Sequence, residues 1–334
     1  MWHVSSAAVQ GLAHIDEDTP CQDKTYSLVR NGVTAIALAD GAGSARLSHL
    51  GAEIASRSVC ELLCSDFSAI LNSTDPYALR QSILEHLLEE LRASASENDC
   101  TLDDLSSTLL AAASDGENVM TLHVGDGMIA CCKDGKIFAS SMPDNGEFKN
   151  ETVFITSEDA VYRMRLAKSR AAGISMFALM SDGTSEVFWN SKEGKFAGLL
   201  EEIRQRGIMY PDERNNADLA GLFSEIVRHR TRDDCSLIMM CRPDEYFRGY
   251  RDLDDEDKRI FLGLKSDDGR ENREKVLGII AGEEQVSRRV LFRRAEELGL
   301  KRRQVSGILR ELDRKGLIER LGVLRRKYRL TFCW

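Results

Sequence analysis

Several acidic residues stand at the ends of apolar segments of this chain. Asp40 directly follows an apolar run, Asp182 follows another after a single serine, and Asp233 precedes a third run at 235–240. A carboxylate at the tip of a buried strand costs free energy unless another group compensates its charge. Three such acids suggest a shared compensating group. We therefore expect them to form one cluster, although they come from widely separated segments. Oxygen ligands of this kind suit a divalent cation such as Mg²⁺ or Mn²⁺.

Asp40 and Asp182 each belong to an Asp-Gly pair, and the chain has six such pairs, at 40, 115, 126, 134, 182 and 268. Most Asp-Gly pairs form turns, because glycine tolerates positive φ and aspartate accepts hydrogen bonds from the turn. The pairs at 115 and 134 separate short alternating segments and are predicted as hairpin turns. The pairs at 40 and 182 instead follow apolar runs, which favours a role as metal ligands at strand ends.

Length and composition place the chain among ordinary globular proteins. It has 334 residues, of which 43 % are hydrophobic and 30 % charged, enough for about two domains. No apolar run is long enough to span a membrane, and the N-terminus lacks the basic and apolar segments of a signal peptide. The nine cysteines form no C-x-x-C pair, which favours reduced thiols. We therefore expect a cytoplasmic protein that makes no contact with a membrane.

Apolar periodicity divides the first 242 residues into alternating groups of strands and helices. Short β-rich segments come first, with Asn31-Gly32 as a hairpin turn, and later strands are predicted at 152–156 and 235–241. This order lacks the regular alternation of a parallel doubly wound sheet, so it predicts an α+β fold with antiparallel sheets covered by helices. The predicted helices cover 48–71, 76–95, 196–207 and 216–229.

Four motifs with aspartate follow one another along the chain. They are Ala-Asp-Gly-Ala-Gly-Ser at 39–44, Val-Gly-Asp-Gly at 124–127, Met-Ser-Asp-Gly-Thr at 180–184, and Arg-Asp-Asp-Cys-Ser-Leu-Ile-Met at 232–239. Their order and spacing resemble those of the type 2C metal-dependent protein phosphatases, and the resemblance covers residues 3–241. Gly-Leu-Ala-His at 11–14, followed by Cys-Gln-Asp-Lys at 21–24, resembles the opening motif of the compact bacterial branch. The resemblance implies a four-layer α-β-β-α sandwich of two antiparallel sheets, with two Mn²⁺ or Mg²⁺ ions in a cleft between them.

The same resemblance implies ligands for both metals. Asp40 resembles the carboxylate that bridges the two ions, and the carbonyl oxygen of Gly41 resembles a ligand of the second. Asp182 and Asp233 resemble the remaining ligands of the first. Motif register favours Asp233 over its neighbour Asp234.

Two further acids receive roles in the same way. Asp23 resembles the acid that holds metal-bound water, and Asp126 resembles a ligand of a third, more weakly bound metal. The implied activity is hydrolysis of phosphoserine and phosphothreonine in proteins by a water that the two metals activate. A cognate serine/threonine kinase is the partner that this activity suggests, and no protein nucleophile is required.

The chain departs from the wider family at three positions. Gln22 stands where eukaryotic members usually carry glutamate, and Ala42 stands where a histidine often protonates the leaving group. Asp18 falls at the spacing of the arginine that binds the substrate phosphate. His14 and Arg46 are the candidates to replace these groups, His14 in catalysis and Arg46 as a phosphate contact. The departures favour an alternative, a catalytically weak phosphatase-like binding module.

The end of the chain differs in charge from the rest. Residues 243–270 are acidic and are predicted as a linker, whereas 271–334 carry 17 Lys+Arg and 9 Asp+Glu. Three amphipathic helices followed by a β-hairpin resemble the winged-helix superfamily. Such a domain is regulatory or partner-binding in one interpretation and contacts DNA in the other, with the first preferred. The candidate contacts on the third helix and the wing are Arg302, Arg303, Gln304, Arg325 and Arg326.

Overall fold

The computed structural model describes residues 2–144, 152–210, 212–244, 249–283, 285–321 and 327–332. The chain divides into two compact units. The first contains Met1–Arg204 and Asn215–Glu245, and the second contains Gln205–Arg214 and Tyr246–Trp334. Within the described residues, no helix combines the length and the apolar character needed to cross a membrane.

The first unit is built mainly from antiparallel strands. In chain order they are β1 (His3–Val9), β2 (Lys24–Arg30), β3 (Val33–Ala39), β4 (Leu109–Ser114), β5 (Asn118–Val124), β6 (Met128–Lys133), β7 (Lys136–Ser141), β8 (Arg165–Arg170), β9 (Ile174–Met180), β10 (Trp189–Asn190), β11 (Lys195–Phe196) and β12 (Cys235–Cys241).

Helices connect these strands. They are α1 (Leu12–Asp16), α2 (Ser48–Asn72), α3 (Pro76–Glu97), α4 (Ala160–Arg163), α5 (Asp182–Phe188), α6 (Gly198–Met209) and α7 (Asp212–Glu225). The segment Gln205–Arg214, with the end of α6 and the start of α7, belongs to the second unit.

Two five-stranded sheets organise the first unit. One has the strand order β1-β12-β9-β6-β7 and the other β2-β3-β4-β5-β8, and neighbouring strands are antiparallel throughout. The predicted fold of two antiparallel sheets is therefore confirmed.

Strand β3 shows how the layers pack. Its side chains alternate, so Ala35 and Ala37 face the core shared with α2 and α3, whereas Ile36 and Leu38 face the core shared with the other sheet. A strand buried on both faces reads as a continuous apolar run, which is the pattern seen in its sequence. On the second sheet, α5 packs against β9 and β12.

The predicted elements of this unit are largely confirmed, with two exceptions. The predicted helices at 48–71 and 76–95 are present as α2 and α3. The strand predicted at 152–156 is wrong, because within the described residues this segment joins no sheet, although the N–H of Ile155 donates to the carbonyl of Ser107. Strand β8 was not predicted, because this edge strand is half exposed and rich in charged residues.

The second unit contains helices and a small sheet. Its elements are α8 (Asp255–Phe261), α9 (Arg270–Ala281), β13 (Val286–Ser287), α10 (Arg288–Glu297), α11 (Arg302–Arg314), β14 (Ile318–Leu321) and β15 (Lys327–Leu330). The strands form an antiparallel sheet in the order β13-β15-β14.

The segment predicted as a linker at 243–270 contributes to the core of this second unit. Tyr250 and Phe261 are buried, with ring centroids 5.1 Å apart, and Phe261 also stacks on Tyr210 at 4.8 Å. Asp254 caps α8 by accepting a hydrogen bond from the N–H of Asp257. The structure thus differs from the expectation because a few aromatic residues among the acids supply a buried face.

Candidate active site

Strand ends bring the predicted acids together. Asp40 follows β3, Asp126 lies between β5 and β6, Asp182 is the first residue of α5 after β9, and Asp233 precedes β12. Strands β9 and β12 are antiparallel neighbours, so the end of one meets the start of the other at the same edge of the sheet. The four carboxylates line one cleft of about 240 Å³.

The rest of the cleft wall is neutral or weakly basic. Its other lining residues are His14, Gln22, Gly41, Ala42, Gly43, Thr108, Thr152 and Phe154. Among the described residues that line it there is no lysine or arginine, so the protein itself supplies little positive charge against the four acids.

The charges of these acids lie close enough to repel one another. Burial raises the pKa of Asp40 well above its ordinary value, and the charges of Asp23, Asp182, Asp233 and Asp126 raise it further. Burial also raises the pKa of Asp182 to about 6, with Asp126 and Asp233 adding to the shift. A bound divalent cation would reverse this repulsion, so the donor set fits Mn²⁺ or Mg²⁺.

Asp23 is buried and does not line the cleft, but it lies close enough to Asp40 to raise that residue's pKa. Burial raises the pKa of Asp23 itself to about 7, and the charge of Asp234 adds to the shift. The hydroxyls of Ser236 and Ser181 act in the opposite direction and lower the pKa of Asp23 in part. A buried carboxylate beside the cleft also fits a site completed by a metal and its water.

The adjacent residues Asp233 and Asp234 have different surroundings. Asp234 is only 2 % exposed, and its two oxygens accept hydrogen bonds of 2.6 Å from the backbone N–H groups of Gly11 and Gln22. The Nδ1 atom of His14 lies 2.9 Å from the same carboxylate. Asp234 therefore joins three segments of the unit, whereas Asp233 is exposed and lines the cleft.

The glycines that follow the cleft aspartates are required for space. Gly41, Gly127 and Gly183 do not have positive φ. A Cβ on Gly183 would lie 2.3 Å from the carbonyl oxygen of Asp234, and a Cβ on either of the others would meet neighbouring atoms at 2.7–2.8 Å. The predicted turn glycines at 116 and 135 instead have φ of 96° and 72°.

Two threonines that the sequence did not single out hold cleft residues in place. The Oγ1 of Thr108 accepts a 3.0 Å hydrogen bond from the N–H of Asp40, and the N–H of Thr108 donates to the carbonyl of Asp40 at 2.8 Å. The hydroxyl of Thr152 donates to Asp126. No periodicity or motif marks either threonine, so the sequence alone gave no signal for them.

Other predicted contacts lie outside the cleft. Arg46 does not line it, because its Nε atom lies 3.6 Å from Asp104 and its side chain is 59 % exposed. Arg302 and Arg303 are exposed on α11 of the second unit, and the Oε1 of Gln304 accepts a hydrogen bond from the N–H of Lys301. Arg325 and Arg326 fall outside the described residues.

Side chains alone do not complete a metal site. In the part of the chain that the structure describes, no group of three or more histidine, cysteine, aspartate or glutamate residues is arranged to hold a metal ion. Main-chain carbonyl oxygens and water would complete the coordination, since Mg²⁺ commonly retains several of its water ligands.

The fold and the acidic cleft agree with a comparison against protein families. The family described as protein phosphatase 2C matches residues 10–222, which is more than half of the chain, and the chain belongs to this family. It is accordingly a serine/threonine protein phosphatase that acts on phosphoproteins, with Mn²⁺ or Mg²⁺ ions in a dimetal centre.

Individual relatives are similar over about seven tenths of the chain. The chain is 25 % identical over 255 residues to serine/threonine-protein phosphatase 3 of Escherichia coli strain K12, covering 71 % of this chain and 97 % of the relative. Among solved structures, a bacterial serine phosphatase superposes with a TM-score of 0.51 at 15 % identity, covering 73 % of this chain and all of that one. At that identity the superposition supports the fold alone.

Proposed function

We propose that Asp40, Asp182 and Asp233 hold the catalytic metals together with the carbonyl oxygen of Gly41. The observation that carries this proposal is that the three carboxylates and Asp126 line one cleft whose described lining has no lysine or arginine. Asp126, which Thr152 orients, is proposed as a ligand of a third, more weakly bound ion.

When bound, two Mn²⁺ or Mg²⁺ ions lower the pKa of a water and neutralise charge on the phosphoryl oxygens. The side chains around them position the groups that react. Asp23 is buried, and its charge lies close enough to Asp40 to raise the pKa of that residue. We assign it to orienting water in the cleft.

His14 is proposed to protonate the leaving group. It lines the cleft, and its Nδ1 atom lies 2.9 Å from the Oδ1 atom of Asp234. Histidine is the side chain that most often serves as a general acid or base. His14 would thus take the role of the histidine that other family members often carry at the position of Ala42. The phosphoserine or phosphothreonine substrate then loses its phosphate without a covalent enzyme intermediate, and its cognate kinase is the proposed partner.

Hydrolysis of p-nitrophenyl phosphate with and without Mn²⁺ tests the assignment. Asp40→Asn and Asp182→Asn should each lower kcat by at least about 100-fold, because each removes a charged ligand of the centre. Asp268→Asn is the matched control, since this exposed aspartate of another Asp-Gly pair lies outside the cleft. Full Mn²⁺-dependent turnover in both cleft variants would refute the assignment.

Ala42 and Gln22 favour a second candidate, a catalytically weak module that binds phosphopeptides. Both residues line the cleft but bring no charge. Calorimetric binding of Mn²⁺ together with negligible turnover of phosphopeptides by the wild-type chain would support this candidate over the active phosphatase.

For the second unit we propose a winged-helix domain with a regulatory or partner-binding role. The element order from α9 to β15 supports this proposal: it is helix, strand, helix, helix, strand and strand. DNA is the alternative partner, favoured by exposed cations on α10 and α11. Those without an ion pair among the described residues include Arg289, Arg293, Arg302 and Arg303.

Fluorescence anisotropy of the full chain with duplex DNA at several salt concentrations separates these roles. DNA binding predicts that Arg302→Gln with Arg303→Gln weakens affinity and flattens the salt dependence, because each lost phosphate contact reduces the slope by about one. The control pair, Arg57→Gln with Arg92→Gln, removes two exposed charges from α2 and α3. Absence of binding by the wild type at low salt would leave the regulatory or protein-binding role.

A further inference from the structure

A second groove adjoins the cleft that holds the four acids. The two cavities share Ala42 and Phe154, so their walls are continuous. The groove has a volume of about 390 Å³, larger than the 240 Å³ of the cleft. Its other lining residues are Ser44, Ala45, Asp103, Asp104, Ser106, Thr156 and Ser157.

Hydrogen bonds between three backbone segments build this groove. The N–H of Ala42 donates to the carbonyl of Ser106, and the N–H of Leu47 donates to the carbonyl of Asp104, both at 2.9 Å. The hydroxyls of Ser106 and Thr156 lie 2.7 Å apart and join the two opposite walls. The groove is therefore a fixed feature of the first unit.

The groove offers negative charge and hydroxyl groups. Asp103 is exposed, and no ion pair to its carboxylate is present among the described residues. Asp104 accepts hydrogen bonds from the N–H and hydroxyl of Thr101 and lies 3.6 Å from Arg46, which neutralises part of its charge. Within the described lining there is no lysine or arginine.

We propose that this groove binds the peptide chain beside the phosphorylated residue and selects a basic side chain there. The inference rests on the metal centre proposed above. When the phosphoryl group occupies the cleft, the neighbouring residues of the substrate have to cross the shared wall. Ala42 lines both cavities and adds only a single methyl group to the shared wall. Asp103 and Asp104 then face the cation.

Two phosphoserine peptides that differ only in the flanking residues test the proposal. One peptide carries arginine on both sides of the phosphoserine and the other carries glutamate. The measured quantity is the ratio of kcat/KM for the basic peptide to kcat/KM for the acidic peptide. A ratio within one variant cancels changes in overall activity. The variants are Asp103→Asn and Asp103→Arg, and the matched control is Glu89→Gln, an exposed acid of α3 that lines neither cavity.

The wild-type ratio should exceed one, and it should fall about two- to five-fold in Asp103→Asn, because one exposed ion pair is lost. Asp103→Arg should invert the preference, Glu89→Gln should keep the wild-type ratio, and added salt should reduce the effect. An equal ratio in the wild type and in both Asp103 variants would overturn the proposal. Failure of the metal centre itself would be seen separately, as absence of Mn²⁺-dependent hydrolysis of p-nitrophenyl phosphate by the wild type.

Discussion

Two adjacent aspartates should give opposite phenotypes. Asp234→Ala removes the acceptor of two buried backbone N–H groups, those of Gly11 and Gln22, each bonded at 2.6 Å. Leaving a buried donor unsatisfied costs about 1–3 kcal/mol, so the free energy of unfolding should fall by about 2–6 kcal/mol. At about 2–4 °C per kcal/mol for a unit of this size, Tm should drop by about 10 °C.

Asp233→Asn should leave that stability intact. Asp233 is exposed, and its Oδ1 atom accepts a 2.8 Å hydrogen bond from the N–H of Asp234, which an asparagine oxygen can also accept. The substitution removes one charge from the acidic cleft, so we expect no fall in Tm. The affinity for Mn²⁺ should fall by at least about ten-fold, the lower range for losing a supporting group of a metal site.

Calorimetric unfolding of the full chain in EDTA measures the first effect, and titration with Mn²⁺ at a temperature well below Tm measures the second. The pair separates a positioning carboxylate from a metal ligand. If Asp233→Asn lowered Tm more than Asp234→Ala while keeping Mn²⁺ affinity, the two assignments would be reversed and the reasoning refuted.

Three further predictions concern pH, space and the phosphate. The pKa values of Asp23 and Asp182 in the folded state, about 7 and about 6, exceed the ordinary value of 3.8. The contribution of these groups to the stability of the metal-free protein should therefore be full below about pH 4 and lost as the pH rises through 6–7. Thermal unfolding in EDTA from pH 5 to 8 should show this decline, Mn²⁺ should reverse it, and a metal-free Tm that rose over this range would contradict it. Gly183→Ala should destabilise the fold and weaken Mn²⁺ binding, because its Cβ would lie 2.3 Å from a carbonyl oxygen, whereas Gly221→Ala in α7 meets nothing within 4 Å and should be neutral or stabilising by about 1 kcal/mol. Equal Tm values for these two variants would argue against the close approach. Arg46→Gln should change kcat/KM for p-nitrophenyl phosphate by less than about two-fold, as expected for an exposed ion pair with Asp104. A loss of ten-fold or more would instead assign Arg46 to the phosphate.

The sequence predicted those parts of the fold whose burial leaves a local pattern. Strands β3, β9 and β12 are buried along their whole length and read as continuous apolar runs. The turn at Asn31-Gly32 was predicted because both residues adopt positive φ, 55° and 78°. Strand β8 was not predicted, because an edge strand with three arginine or lysine side chains does not read as an apolar run.

The candidate site was predictable as a set of acids but not as a set of contacts. The apolar runs before Asp40 and Asp182 distinguished them from turn aspartates, and the structure gives the physical reason in the close approach of Gly41 and Gly183. The contact between His14 and Asp234 joins residues that are far apart in the chain, so no local pattern could indicate it. Arg46 was a candidate for the missing phosphate-binding arginine, whereas its side chain lies beside Asp104.

The aromatic core of the second unit limits where this protein can be cut. Met209 and Tyr210 are buried in that core, yet they belong to the span 10–222 that matches the phosphatase family. A chain ending near residue 245 would keep both side chains and lose Phe261, which stacks on Tyr210. The two units are therefore not consecutive in the chain, because Gln205–Arg214 of the second unit lies between the two segments of the first. A shortened enzyme would need polar replacements at 209 and 210 to remain free of aggregation.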